Sequence, residues 1–336
     1  MSPVRAVTVD DIYRADVLVT DESGTQLRTG ARAGLLQVLI RVSGRPDVED
    51  SSLIRSALRN PSAYYYQFSY ESTDRRLLVG DRLVPAVQLR VNFEPSAVAR
   101  LLRDAGFPVW GSNRPGVMIW IALGAGADRQ ILGEDDIHPV LDSLRDQARL
   151  RGIPLILPIM DIEDAARISV AEVWGGFFDR IEAASGRYTP DVLVSARVQE
   201  ESGDSWSGKW SIAIDGRWRS VESRALSADE VVRQMVDELA NELAARYALG
   251  SSRGTLRVVV ENVKGLEDYA ALAAYLEQMT PVVSSSIVLL DGDLAEFELE
   301  TEGQKAQLVE IIRMDERMIL LDENAGEDRL LYRWVR

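Results

Sequence analysis

The composition of this 336-residue chain offers few residues for covalent chemistry. It has no cysteine and one histidine, His138, which we assign to a helix start because Pro139 follows it. The formal net charge of −15 disfavours general nucleic-acid binding and a polybasic membrane-surface site, since both require basic surfaces. Most nucleophiles, general bases and metal ligands are His, Cys or Lys. We therefore expect that the protein is not an enzyme and uses no cofactor, and we favour a binding or assembly protein.

The first segment, residues 1–110, predicts a small α+β domain. Its predicted elements are a strand at 17–20, helices at 24–42 and 52–59, strands at 64–71 and 87–94, and a helix at 95–104. Tyr64, Tyr66, Phe68 and Tyr70 recur with a period of two, which is typical of a half-buried strand. Because the chain is acidic and no basic residues interleave this stripe, we expect core packing and not a platform for stacking bases.

The second segment, residues 111–250, alternates strands and helices more regularly. Its predicted elements are strands at 117–123, 154–160 and 192–198, helices at 137–151 and 170–184, a ribbon at 209–221 that turns at Asp215-Gly216, and a long closing helix. Ser227 and Glu230 have the spacing of a capping box at the start of that helix.

The third segment, residues 254–336, follows a predicted hinge at 250–254 and predicts the ferredoxin-like order β-α-β-β-α-β. Asp291-Gly292-Asp293, between predicted strands at 282–290 and 294–300, indicates its central hairpin. The fourth strand of the motif is predicted at 318–321, with residues 330–335 as an added edge strand. We expect this unit to fold alone.

The first strand of that hairpin is apolar on both of its faces. We expect Ile287 and Leu289 on one face, and Val288 and Leu290 on the other. Helices would cover one face, and another domain or a partner would cover the opposite one. Val288 is therefore a candidate interaction residue.

Two other groups are candidate sites. Asp161, Glu163 and Asp164 follow the strand at 154–160, where carboxylates often hold Mg²⁺. The alternative interpretation is that they precede or cap a helix, where negative charge meets the helix dipole. Trp206 and Trp218, near the ends of the ribbon, could bind a glycan, a small ligand or a partner.

Several stretches resemble a known family. These are the run Arg151-Gly-Ile-Pro-Leu-Ile-Leu-Pro-Ile-Met-Asp-Ile-Glu-Asp164, Val173-Trp-Gly175, Ala184-Ser-Gly-Arg-Tyr188, Tyr13-Arg-Ala-Asp-Val17 and Leu39-Ile-Arg-Val-Ser-Gly44. Together they resemble domain of unknown function 2066, an uncharacterised bacterial envelope family, over residues 12–250. The order of the middle unit is similar to the amino-terminal domain of TolB. The resemblance implies export to the periplasm, with the native gene encoding a leader upstream of Ser2.

The sequence thus favours an α+β protein with several small mixed-sheet domains, a TolB-N-like one in the middle and a ferredoxin-like one at the C-terminus. We expect a non-catalytic periplasmic adaptor or envelope-assembly protein that acts through protein–protein contacts. Its partner would be an envelope protein, with a second copy of the chain as another candidate, and it would neither bind nucleic acid nor span the membrane. The alternatives are a glycan- or small-ligand-binding module and a metal-assisted hydrolase that uses Asp161, Glu163 and Asp164.

Overall fold

The computed structural model describes residues 7–8, 11–201, 205–248, 253–279, 282–302, 305–315, 317–323 and 329–335. Over these ranges the fold is α+β, which confirms the predicted class. Helices pack on a three-stranded, a six-stranded and a five-stranded sheet, and a further two-stranded pair joins residues 7–8 to 113–114. Among the described residues, no helix has both the length and the apolar character that a membrane crossing requires.

The N-terminal unit is an antiparallel sheet under three helices. Its elements are β1 (Val7–Thr8), β2 (Arg14–Val19), α1 (Gly24–Ser43), α2 (Ser52–Arg59), β3 (Tyr65–Val79), β4 (Arg82–Phe93), α3 (Pro95–Asp104) and β5 (Asn113–Arg114). The sheet has the order β2-β4-β3, so β3 is an edge strand. Helix α1 packs so close to β4 that a Cβ atom added to Gly30 would lie 2.6 Å from the Leu89 side chain.

The aromatic stripe on β3 is not buried as predicted. Tyr66 is 65% exposed and Phe68 is 41% exposed. A register shift between Tyr65 and Gln67 leaves Tyr66 without a partner on β4 and breaks the period of two. Tyr65, Phe68 and Tyr70 instead form a row of edge-to-face contacts. The expectation failed because β3 lies at the edge of the sheet, where the helices do not cover all of its side chains.

The middle unit is a mixed sheet with helices on both faces. Its elements are β6 (Val117–Leu123), β7 (Gln130–Ile131), α4 (Pro139–Arg151), β8 (Leu155–Ile156), α5 (Ile162–Arg167), α6 (Val170–Gly175), α7 (Phe178–Ser185), β9 (Val192–Glu201), β10 (Ser205–Ile214), β11 (Arg217–Ala225) and α8 (Ala228–Tyr247). The strand order is β11-β10-β9-β6-β7, and β8 pairs in parallel with β6. The predicted strand 154–160 shrinks to two residues. The predicted helix 170–184 breaks at Gly176, which adopts a φ of 68°.

The C-terminal unit follows the predicted order of elements with one change of position. Its elements are β12 (Arg253–Glu261), α9 (Leu266–Gln278), β13 (Val282–Asp291), β14 (Leu294–Glu302), α10 (Lys305–Asp315), β15 (Met318–Asp322) and β16 (Arg329–Trp334). The sheet order is β13-β14-β12-β16-β15, so β16 lies between β12 and β15 and not at the edge. Leu330, Tyr332 and Trp334 are buried, whereas Ile319 and Leu321 on β15 are exposed. The strand with the larger side chains to bury therefore takes the inner position.

The hydrophobic cores divide the chain unequally. The N-terminal unit has its own cluster, from Ile12 to Val109. A second cluster continues from Trp110 through the middle unit to Trp334, so the middle and C-terminal units share a core. Most of the predicted hinge, at residues 250–252, lies outside the described residues. Independent folding of residues 254–336 stays a prediction, and the shared core is an argument against it.

Candidate functional site

The first candidate, Asp161, caps a helix. Its Oδ1 atom accepts a hydrogen bond from the N–H of Asp164 at 3.0 Å, at the start of α5. The two terminal nitrogens of Arg187 donate to the two carboxylate oxygens of Asp161, at 2.7 and 2.9 Å. These bonds, chiefly those from Arg187, lower the pKa of Asp161 to about 2. The carboxylate is therefore held in its ionised form by a guanidinium.

Asp164 is fully buried beneath this pair. It accepts hydrogen bonds from the N–H of Met160 at 3.0 Å, from the Tyr188 hydroxyl at 2.5 Å and from Arg187 at 3.2 Å. Burial, followed by the bond to Asp164, raises the pKa of Tyr188 to about 12. Asp164 thus ties the loop before α5 to the segment at 187–188.

Glu163 completes the cluster from the solvent side. It forms ion pairs with Arg167 at 2.8 Å and with Arg187 at 3.6 Å. A cation bound by all three carboxylates would have to displace Arg187 from the centre of the cluster. No group of three or more His, Cys, Asp or Glu side chains has the geometry of a metal site in the described part of the chain. The arrangement is that of a helix cap locked by an arginine.

The two tryptophans lie at opposite ends of the β10–β11 ribbon. Trp206 pairs with Ala225, while Trp218 pairs with Ala213, seven residues further along β10. Seven residues of a strand span roughly 23 Å. Trp206 packs partly buried against the main core. Trp218 stacks on Phe178 with ring centroids 4.2 Å apart, and its Nε1–H donates to Glu182 at 2.6 Å. The two side chains do not form a shared cleft.

Val288 lies on the strand that has the most exposed apolar side chains. β13 pairs with β14 on one side, and no described strand pairs with its other side. The exposed apolar residues of β13 have between 43% and 57% of their surface accessible; they are Val283, Ile287, Val288, Leu289 and Leu290. β13 thus has an open backbone edge beside a row of exposed apolar side chains, and we call this feature the β13 edge.

The predicted faces of β13 are wrong because of a β-bulge. Ile287 pairs with Phe297 and Leu289 pairs with Glu296, so Val288 is the extra residue between them. Phe297 is buried in the core, whereas Glu296 forms an ion pair with Arg329 at 2.9 Å. Ile287 and Leu289 therefore lie on opposite faces of the sheet.

The face that contains Glu296 is charged, and it needs no second domain to cover it. It has ion pairs between Arg257 and Glu298 at 3.4 Å and between Arg333 and Glu261 at 2.6 Å. The premise that this face is apolar is therefore wrong, and a partner over it stays a prediction without that support. The exposed apolar side chains of this sheet lie on its two edge strands, five on β13 and fewer on β15.

A second apolar projection was not predicted from the sequence. The strands β3 and β4 extend beyond the N-terminal core and expose Leu78, Val79 and Leu83 near their turn. Val79 pairs with Arg82 across a two-residue turn in which Gly80 has a φ of 60°. The signal was available in the sequence, since apolar residues flank Gly80-Asp81 on both sides.

Comparison with known proteins corrects the family resemblance. A sequence model described as Domain of unknown function (DUF8605) matches residues 6–111, which is less than half of the chain. No curated protein matches the chain. The resemblance to domain of unknown function 2066 is wrong, because the match is to a different domain. What the comparisons establish is that the N-terminal unit of this chain is similar to Domain of unknown function (DUF8605).

Proposed function

We propose that this chain is a non-catalytic adaptor or assembly protein that acts through protein–protein contacts, with the β13 edge as its contact strand. One observation carries the proposal. β13 is a ten-residue strand with one edge that no described strand pairs, five exposed apolar side chains and no charged residue before Asp291. Sheet edges accept extended strands through main-chain hydrogen bonds, and neighbouring side chains add specificity.

The β13 edge has little of the protection that natural edge strands use against pairing. Such strands are usually very short or contain lysine or proline, and β13 is long and has neither. Its protective features are two irregularities of register, one between Val282 and Ser284 and the bulge at Val288. β13 is therefore less protected against pairing with another strand than an ordinary edge strand is.

The occupant that best fits this edge is the β13 strand of a second copy. Antiparallel pairing about a two-fold axis would place one uncharged strand against the same uncharged strand. The two copies, each with a net charge of −15, could then meet where neither presents a charged side chain. The resulting contact would join two five-stranded sheets into one.

Two alternative functions have less support. The carboxylates that a hydrolase would use are occupied by Arg187. The tryptophans that a glycan site would use lie at opposite ends of a ribbon. The periplasmic and envelope location depended on the resemblance that the comparisons overturned, and it stays a prediction without that support.

Cysteine scanning of the full chain tests the proposal directly, because the native sequence contains no cysteine. Single variants Ser284→Cys, Ser285→Cys, Ser286→Cys and Ile287→Cys would be oxidised and separated without reductant. Residues at a two-fold axis between antiparallel strands have Cα atoms about 4.5–5.5 Å apart, which suits a disulfide. We expect dimers to form efficiently at one or two adjacent positions.

The control is Ser96→Cys, on an exposed helix start away from β13. A cross-linking yield in every β13 variant no higher than in Ser96→Cys would contradict the self-pairing of β13. Equal yields at all four β13 positions would also count against it, since a fixed register brings only the residues near the axis together.

A further inference from the structure

A large cleft separates the N-terminal unit from the middle unit. It has a volume of about 690 Å³, which falls in the range of small-molecule sites. One wall is formed by β2 and α1, and the other by α4 and the segment that leads to β8. Ile153, Leu155 and Leu157 give it an apolar part. The cleft shares no residue with the β13 edge.

The walls of the cleft are rich in arginine although the chain as a whole is acidic. Four carboxylates also line it: Asp11, Asp16, Glu134 and Asp146. The lining arginines outnumber them; they are Arg14, Arg41, Arg75, Arg145, Arg149 and Arg233. Guanidinium groups match carboxylates and phosphates with paired N–H donors. The local excess of positive charge is therefore of a kind that selects oxyanions.

Arg41 is the most informative of these residues, and Arg114 behind it provides the contrast. Arg114 is fully buried and uses all five of its N–H groups on main-chain carbonyls. The acceptors are the carbonyl oxygens of Gly111, Arg151, Gly152, Arg41 and Trp110, at 2.8–3.1 Å. Arg114 is thus a satisfied structural residue between the two units.

Arg41 is almost as buried, at 6% exposure, but it uses only one of its nitrogens. Its Nη1 donates to the carbonyls of Asp11, Ile12 and Arg14. Its Nε is buried without a partner, and Nη2 makes no hydrogen bond with any described residue. A buried donor without an acceptor is costly. Because Arg41 lines the cleft, an anion there would give Nη2 the acceptor that it lacks.

Arg149 faces the same cleft from the opposite unit. Burial, followed by the charge of Arg149, lowers the pKa of Arg41 to about 10, while Asp16 opposes that effect. Arg149 is 70% exposed on its side chain and has an ion pair with Asp146 at 3.1 Å. The two guanidiniums therefore repel each other across a cleft in which a bound anion would attract both.

We propose that this cleft binds a small organic anion with phosphate or carboxylate groups, held between Arg41 of the N-terminal unit and Arg149 of the middle unit. The exposed Arg233, on α8, adds a third guanidinium at the wall. Because the ligand would contact both units, its binding would also stabilise their mutual arrangement.

Isothermal titration of the full chain with pyrophosphate and with citrate tests this, at an ionic strength matched with sodium chloride. Substituting Arg41 would also remove three hydrogen bonds to the segment that enters β2. The primary variant is therefore Arg149→Gln combined with Arg233→Gln. The matched control combines Arg28→Gln with Arg59→Gln, which removes two exposed arginines that do not line the cleft. We expect saturable binding that weakens at least tenfold in the cleft variant and stays within twofold in the control.

Binding of pyrophosphate alone would identify a phosphate ligand, and binding of citrate alone would identify a carboxylate ligand. The proposal fails if neither probe binds saturably to the wild-type chain. It also fails if the control variant loses as much affinity as the cleft variant, because the interaction would then follow net charge and not the cleft.

Discussion

The carboxylate cluster at 161–164 and the β13 edge differ in how fully their groups are satisfied. In the cluster, Asp161 and Asp164 accept hydrogen bonds from main-chain N–H groups and from Arg187. At the β13 edge, one side of the backbone has no described strand beside it, and apolar side chains such as Val288 face solvent. The cluster holds the fold together, whereas the edge has the capacity to receive another chain.

This difference separates structural sites from binding sites in the same molecule. A charged cluster attracts notice in a sequence because its residue types can perform chemistry. The structure shows whether those residues already have partners within the chain. Unsatisfied donors, acceptors and apolar surface indicate where a ligand or partner would be accommodated.

The largest stability effect is expected from Asp164→Asn. The amide keeps the shape of the carboxylate but loses its charge, and its NH₂ group cannot accept a hydrogen bond. Since Asp164 is fully buried and accepts three hydrogen bonds, we expect a loss of about 2 kcal/mol in the free energy of unfolding. Urea denaturation followed by circular dichroism measures it.

The matched control for that experiment is Glu163→Gln, in the same cluster but exposed. Exposed ion pairs contribute little, so we expect a change within about 0.5 kcal/mol. Equal losses in the two variants would show that Asp164 does not hold the cluster together.

A smaller, pH-dependent effect is expected from Asp161. Its pKa falls from the ordinary value of 3.8 to about 2 on folding. A lowered pKa contributes stability that is fully present above pH 4 and is lost as the pH falls towards 2. We expect Asp161→Asn to flatten the dependence of unfolding free energy on pH between about 4 and 2. If the unfolding free energy of the variant falls as steeply with pH as that of the wild-type chain, Arg187 does not hold Asp161 ionised.

The smallest effect is expected from divalent cations. Because Arg187 occupies the centre of the carboxylate cluster, millimolar Mg²⁺ or Ca²⁺ should change the melting temperature by less than about 1 °C. A true site stabilises the fold by mass action, about 2.7 kcal/mol at a hundredfold excess over its dissociation constant. A rise of several degrees that disappears in Asp161→Asn would restore the metal-assisted hydrolase as a candidate.

Local signals in the sequence were sufficient to place most of the elements. The helices α2 and α3 begin and end where predicted, because Asn60-Pro61 and Pro95 are strong boundary signals. The hairpin turn within Asp291-Gly292-Asp293 was also identified, and the structure places it at Gly292-Asp293. These features depend on a few neighbouring residues, which is why a single sequence can reveal them.

Features that depend on strand register or on distant contacts could not be predicted in the same way. The bulges at Tyr66 and Val288 shift which side chains share a face, and periodicity alone gives no sign of them. The position of β16 inside the sheet depends on competition with β15 for burial. The arginine cleft brings together Arg41 and Arg149, more than one hundred positions apart.

Sedimentation velocity of the full chain tests the central claim, that β13 pairs with a second copy, most directly. We predict that the sedimentation coefficient rises with concentration for the wild-type chain and for Leu266→Asp, an exposed apolar control with the same change of charge. In Val288→Asp the chain should stay monomeric with an unchanged circular dichroism spectrum, because a buried charge opposes pairing. Two results would contradict the account: a wild-type chain that is monomeric at all concentrations, or a Val288→Asp variant that associates as strongly as the wild-type chain.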